Sequence, residues 1–88
     1  MTAATKGITC PANEWTLLSE GKMKVGAIMR TVGSGKLITG SQKPAQPPGQ
    51  DYLSVSHTRP ANLQFEDTTT NVYFWTDGVE QTVEVIIE

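Results

Sequence analysis

The chain has 88 residues, of which 38% are hydrophobic and 18% are charged, and its net charge at pH 7 is −2. This composition is typical of one small globular domain and is too apolar for a disordered chain. The apolar runs are too short to span a membrane, and the single cysteine, Cys10, excludes an internal disulfide. We therefore expect stability to come from packing and from association with other copies, since so short a chain buries only roughly 60–65% of its unfolded surface.

Charge is distributed unevenly along the chain. Residues 1–59 hold all seven Lys and Arg with three acids, giving +4, whereas residues 60–88 hold the other six acids, giving −6. This pattern indicates either head-to-tail docking of subunits or opposite charges paired across the strands of one sheet, and we favour the second. Without a net basic balance or a basic-aromatic cluster, direct nucleic-acid binding is disfavoured.

Residues 1–13 are rich in Thr and Ala and are interrupted by Gly7 and Pro11. They predict an extended N-terminal arm that either frays in solvent or adds to an open sheet edge of a neighbouring subunit. No apolar segment of signal-peptide length occurs here, so we expect a protein made and kept in the cytoplasm until lysis.

Residues 14–88 predict a single domain of short strands, because apolar and polar residues alternate between turn signals. Strands are predicted at 14–18 and 22–32, and Gly33-Ser34-Gly35 predicts a hairpin turn into a third strand at 36–39. Two more follow at 51–56 and 62–66. The last two flank Asp77-Gly78 within 71–88, a dipeptide typical of a type I′ hairpin. About seven strands and no amphipathic helix predict an all-β fold, a small antiparallel β-sandwich or barrel.

The two final strands differ in their apolar faces. Val83, Val85 and Ile87 share one side of the last strand, which predicts that it is half-buried. In the preceding run, Tyr73 and Trp75 oppose further apolar residues, so both of its faces are apolar. We expect this run to be central in its sheet, with its second face covered by another sheet, a loop or another subunit.

Residues 40–50, GSQKPAQPPGQ, predict a polar loop, because they contain three prolines and two glycines and no large apolar residue. Pro47-Pro48 favours a stiff polyproline II conformation. A loop of this length in so small a domain is typical of an interaction element, although a tolerated surface insertion fits the same composition.

No set of residues predicts catalysis, a metal site or a cofactor site. The segment from Gly33 to Lys36 resembles the end of a phosphate-binding loop, but Leu37 stands where Ser or Thr is required. His57 and Ser54 lie too close along one strand to build a catalytic triad. A lone cysteine and a lone histidine supply too few metal ligands.

The aromatic residues carry one functional hypothesis. Aligned on an exposed sheet face, Trp15, Tyr52, Tyr73 and Trp75 would stack on sugars, as in a carbohydrate-binding module. We favour the alternative that these rings fill the core or a subunit interface, where large rings bury the most area.

Four segments carry a resemblance to a known group of proteins: EWTLLSEG at 14–21, IMRTVGSGKLIT at 28–39, SQKPAQPPG at 41–49 and VYFWTDGVEQTVEVIIE at 72–88. With these segments the chain resembles the small all-β structural proteins of tailed bacteriophages. The resemblance implies a virion structural protein of the capsid decoration (cement) type, located on the capsid surface. Such a protein binds the major capsid protein, often as a trimer, and stabilises the shell against internal DNA pressure.

We expect partner contacts from the arm, the loop and two aromatic residues: Thr5, Ile8, Cys10, Lys43, Pro44, Pro47, Pro48, Tyr73 and Trp75. The alternatives are a tail, connector or fibre component of the virion, or a carbohydrate-binding β-sandwich module.

Overall fold

The computed structural model describes residues 4–30 and 32–88. Within these residues the chain forms eight strands and no helix, which confirms the all-β prediction. The strands are β1 (Ala4–Cys10), β2 (Trp15–Glu20), β3 (Lys24–Met29), β4 (Ser34–Gly40), β5 (Leu53–Ser56), β6 (Ala61–Gln64), β7 (Asn71–Thr76) and β8 (Gln81–Ile87).

The strands form two antiparallel sheets of four strands each, packed as a β-sandwich. The first sheet has the order β1-β8-β3-β6 and the second the order β2-β7-β4-β5. Alternate residues of each strand point between the sheets and form the core, and fully burying one such side chain contributes about 1.5–3 kcal/mol. The core includes Val25, Ala27, Met29, Leu37, Val55, Val72, Phe74, Val83, Val85 and Ile87. The predicted inward side of the last strand is therefore confirmed.

The Phe74 ring is fully buried in this core and lies directly on the backbone of Gly35. A Cβ at residue 35 would overlap the ring and would lie 2.9 Å from the carbonyl oxygen of Trp75. Position 35 of β4 therefore requires glycine for a packing reason, since only a residue without a side chain leaves room for the ring.

Both predicted hairpins are wrong. β7 and β8 lie in different sheets, and so do β3 and β4. Gly78 has a φ of +79°, but Asp77 does not have the positive φ that a type I′ turn also requires. The physical reason is that the apolar sides of β7 and β8 face each other across the core, so the connection must pass from one sheet to the other.

Asn13 holds this connection in place. Its backbone N–H donates to the carbonyl oxygen of Thr76 at 2.8 Å, and its side-chain oxygen accepts from the N–H of Gly78 at 3.0 Å. Asn13 itself has a φ of +58°, which asparagine tolerates better than most residues.

Six of the seven connections between the described strands pass from one sheet to the other. Only β4 and β5 are consecutive neighbours in one sheet, and residues 41–52 join them. The pairing of strands is consequently almost entirely between distant parts of the chain.

The predicted arm is part of the sandwich. β1 pairs with β8 along its whole length, from Ala4 with Ile87 to Cys10 with Gln81. The interpretation of the arm as a segment outside the domain is thus wrong for residues 4–10, and residues 1–3 lie outside the described residues. The physical reason is that β8 offers an open edge within the same chain, so pairing there carries no cost of association.

Each of the four edge strands has a feature that hinders pairing with a further strand. β5 and β6 have only four residues each. β2 contains a bulge between Leu17 and Ser19, and β1 carries Lys6 on the same side as its core partner Val85. Short edges, bulges and inward charges are devices that blunt sheet edges.

Opposite charges pair across strands of the first sheet, which confirms the favoured interpretation of the charge asymmetry. Arg30 Nε lies 3.1 Å from Glu84 Oε2, and Lys24 Nζ lies 3.9 Å from Glu88 Oε1. Both pairs join β3 or the residue after it to the C-terminal segment and are exposed, so each contributes at most about 1 kcal/mol.

Candidate functional site

The outer side of the second sheet carries a cluster of aromatic side chains. Trp15 on β2 and Trp75 on β7 are cross-strand partners, with ring centroids 5.4 Å apart and ring planes 62° apart. This edge-to-face arrangement is favoured by the quadrupoles of the rings. We use the name aromatic face for six side chains on this outer side. They are Trp15, Leu17, Lys36, Tyr73 and Trp75 from the strands, and Tyr52, which precedes β5 and lies beside Lys36.

The loop that joins β4 and β5 contains Pro44, Pro47 and Pro48 and lies over part of the aromatic face. Trp15 Nε1 donates to the carbonyl oxygen of Gln46 at 2.8 Å, and Asn71 Nδ2 donates to that of Ser41 at 3.4 Å. Trp15 and Tyr73 are each only 5% exposed although they lie outside the core. The expectation that the second face of β7 is covered is confirmed, and the cover includes a loop of the same chain.

A polar network fixes the Trp75 side of the aromatic face. Lys36 Nζ lies 3.0 Å from Asp77 Oδ2, and Trp75 Nε1 donates to Asp77 Oδ1 at 3.0 Å. The hydrogen bond from Lys36, with a smaller contribution from Trp75, holds the pKa of the Asp77 carboxyl below its ordinary value. The Lys36 ammonium also lies 5.3 Å from the centroid of the Tyr52 ring, within cation–π range. The face therefore presents paired charges and a fixed indole.

The exposed part of the aromatic face is apolar. Leu17 is 42% exposed and Tyr52 is 38% exposed, while Trp75 between them is half-buried. Aromatic and aliphatic side chains left partly uncovered beside a polar rim are typical of protein contact surfaces. The two indole rings are not aligned on one exposed face, because their planes are inclined by 62° and Trp15 is only 5% exposed.

The structure brings the predicted loop residues to the same side of the molecule as Tyr73 and Trp75. Lys43 and Pro47 are exposed, whereas Pro44 and Pro48 are half-buried. Since Ser41 and Gln46 are hydrogen-bonded to the second sheet, the loop is held in one position against the aromatic face.

The predicted contact residues of β1 are separate from this surface, because β1 belongs to the first sheet. Thr5 is exposed on the outer side of that sheet. Ile8 packs against the core and Cys10 is fully buried within it, where burial raises the pKa of the thiol. Cys10 is a core residue in this fold and Ile8 is partly buried against the core, which corrects their expected place in a contact surface.

Two polar members of the site were missed from the sequence. The sequence pattern places Lys36 at the start of a predicted strand and in an incomplete phosphate-binding loop, and Asp77 in a turn, and it assigns neither to a contact surface. Lys36 and Trp75 become neighbours through the register of β4 with β7. Alternation along β4 indicates which side Lys36 occupies, but no local signal reveals its partner strand.

Among residues 4–30 and 32–88 there is no group of three or more His, Cys, Asp or Glu side chains placed to hold a metal ion. The same part of the chain contains no helix long and apolar enough to cross a membrane. Comparison with models of known protein families, with curated proteins and with solved structures found no match.

Proposed function

We propose that the protein is a non-enzymatic virion structural protein, a capsid decoration (cement) protein that binds the major capsid protein and stabilises the shell. In this proposal it is made in the host cytoplasm and ends on the capsid surface. The observation that carries the proposal is the aromatic face, on which Leu17, Tyr52 and Trp75 remain partly uncovered beside the loop.

The loop supports this proposal because contacts within the same chain already hold it against the second sheet. The carbonyl oxygens of Ser41 and Gln46 accept hydrogen bonds from the second sheet, so its prolines are already positioned. A preorganised loop loses little conformational entropy when a partner covers it, which leaves more of the contact energy as affinity. Lys43 is the only charged side chain within residues 40–50 and is exposed, so it is available to an acidic group of the partner.

Co-sedimentation with capsids that lack the protein tests the proposal. The purified protein should pellet with the capsids in a saturable way and raise the temperature at which they release DNA. Leu17→Glu should weaken this binding about tenfold or more, since burial of a leucine side chain contributes about 1.5–3 kcal/mol. Val79→Glu is the matched control, because Val79 is 55% exposed and lies outside the aromatic face; it should bind as the unmodified protein does.

Absence of co-sedimentation at all concentrations would remove the cement proposal. Equal binding by the Leu17→Glu and Val79→Glu variants would show that the aromatic face is not the surface that binds the capsid. Cryo-electron microscopy of particles would identify a tail, connector or fibre position. Binding on a glycan array that Trp75→Ala abolishes would favour the carbohydrate-binding alternative.

A further inference from the structure

The outer side of the first sheet contains a raised side chain next to a hollow. Ile86 on β8 is 53% exposed, and its cross-strand partner on β3 is Gly26. Because Gly26 has no side chain, a furrow of about 300 Å³ passes over it between Ile86 and Asn62. The raised apolar group and the apolar hollow therefore lie side by side on adjacent strands.

The same two strands carry opposite charges on this side. Glu84 and Glu88 flank Ile86 along the acidic strand, and Lys24 and Arg30 flank Gly26 along the basic one. Lys24 is level with Glu88, as their mutual backbone hydrogen bonds show. The Arg30 guanidinium extends across Glu84 to the backbone of Gly7 on β1. At the other end of this surface, the acidic Glu88 therefore lies on the side of the raised group and the basic Lys24 on the side of the hollow.

We propose that this surface binds a second copy of the same chain in a two-fold symmetric dimer, with the axis parallel to the strands and between β8 and β3. Rotation about that axis places β8 of each copy over β3 of the other. Each Ile86 then enters the furrow over the partner's Gly26, and each Glu88 faces the partner's Lys24. Such self-complementarity of one surface is the requirement of a two-fold interface, and sheets stack in this aligned way in β-sandwiches.

The dimensions of the molecule allow such an interface. Its extents are 36, 26 and 18 Å. A face that spans the two longer extents is comparable in area to the roughly 800 Å² per partner of a standard interface. The inference does not rest on binding to a capsid, because the dimer would form in solution. It is also a dimer, not the trimer that the phage resemblance implies.

Two charge reversals test the dimer by sedimentation velocity. In a dimer of Lys24→Glu chains, the new glutamate of each copy faces Glu88 of the other copy. In a dimer of Glu88→Lys chains, the new lysine of each copy faces Lys24 of the other copy. The unmodified protein should sediment as a dimer at micromolar concentration, and each variant alone should have a dissociation constant at least tenfold higher. An equimolar mixture should recover the dimer, because each remaining contact then joins Glu to Lys. Mixing cannot repair a like-charged pair within one chain, so recovery reports contact between copies.

Further variants keep the test decisive if a charge reversal impairs folding. Ile86→Thr retains a residue suited to a strand but shortens the raised group, and it should weaken the dimer about tenfold. Lys43→Glu makes the same charge change as Lys24→Glu on the loop and should leave the dimer intact. Circular dichroism should show the same strand content for all four variants. A monomeric or trimeric unmodified protein, or a mixture that stays monomeric, would overturn the proposal.

Discussion

At Gly35 the absence of a side chain allows the Phe74 ring to fill the centre of the core. The position has no unusual backbone conformation, so its requirement for glycine is one of space alone. Phe74 is fully buried and belongs to the core cluster, so a shift of its ring would displace other packed side chains. Inserting an extra methyl group into a well-packed core typically lowers the free energy of unfolding by about 1–3 kcal/mol.

Gly35→Ala should therefore lower the free energy of unfolding by about 1–3 kcal/mol, since the added methyl group overlaps the Phe74 ring. Urea denaturation measures this change. Gly49→Ala is the matched control, because no atom lies within 4 Å of a Cβ at that position; its effect should stay within about 0.5 kcal/mol. In the Gly35→Ala background, Phe74→Leu should cost less than it does alone, and strictly additive losses would contradict the packing explanation.

Local hydrogen bonds favour the charged form of the Asp67 carboxyl. Its Oδ1 accepts from the hydroxyl of Thr70 at 2.8 Å and from the backbone N–H groups of Thr69 and Thr70 at 3.0 Å each. The Thr70 hydroxyl, followed by the Thr69 N–H, holds the pKa of this carboxyl below its ordinary value. Asp67 thereby orders the turn that leads into β7.

Stability should fall in acid for this reason. A carboxyl whose folded-state pKa lies below its unfolded value, about 3.9, contributes stability that is fully present above that value. This contribution is lost as the pH falls through the folded pKa. The free energy of unfolding should decrease below about pH 4, and Asp67→Asn should make the decrease shallower. Urea titrations from pH 2 to 7 measure both, with Asp51→Asn as a control; coincident profiles for Asp67→Asn and the unmodified protein would disprove the assignment.

Among the elements, β1 has the most informative position, because it closes the first sheet against β8. Its residues alternate between the two sides of that sheet, with Ile8 directed to the core and Thr5 to solvent. This alternation affects the stability of the fold only if β1 packs as part of the domain. A segment outside the domain would tolerate the same change equally at both positions.

Ile8→Asp should therefore lower the free energy of unfolding by more than about 2 kcal/mol, because a carboxylate replaces an apolar group packed against the core. Thr5→Asp introduces the same side chain on the solvent side of the same strand and should change stability by no more than about 0.5 kcal/mol. Thermal or urea unfolding of the two variants measures the difference. Equal stability of the two would restore the interpretation of residues 4–10 as a free arm.

The elements also show how much of the fold could be predicted from the sequence. Strand positions and inward residues such as Val85 were predicted correctly, because alternation is a property of consecutive residues. The hairpins and the arm were predicted wrongly, because partner choice depends on distant segments. Asp77-Gly78 does form a turn, but a local pattern cannot indicate whether the next strand returns beside β7 or crosses to the other sheet. A loop is one of the three covers that the sequence predicts for the second face of β7. No sequence signal indicates the hydrogen bond between this loop and Trp15.

At the scale of the whole molecule, connections that cross between the sheets leave almost no strand pair that can form locally. β1 pairs with β8, so the first described strand cannot join its sheet before the last strand is in place. Closing such long loops costs entropy before any contact compensates it, and this slows folding.

Folding should accordingly take about milliseconds to seconds at 25 °C, as for other sandwiches dominated by distant pairings. Stopped-flow fluorescence of Trp15 and Trp75 measures the rate. A synthetic peptide of residues 71–88 should show no cross-strand nuclear Overhauser effects, because β7 and β8 do not pair. Microsecond folding of the protein, or a hairpin in the peptide, would contradict this account.

The blunted edges have a consequence for crowded conditions. A small sheet protein at high local concentration risks open-ended polymerisation, in which chain after chain joins at exposed backbone groups until a fibril results. Here an incoming chain at β1 would have to bury the ammonium of Lys6, and one at β2 would meet a bulge that misaligns its hydrogen bonds. Growth in the plane of the sheets is thus disfavoured, and accumulation of many copies in one place should yield discrete particles that stay in solution.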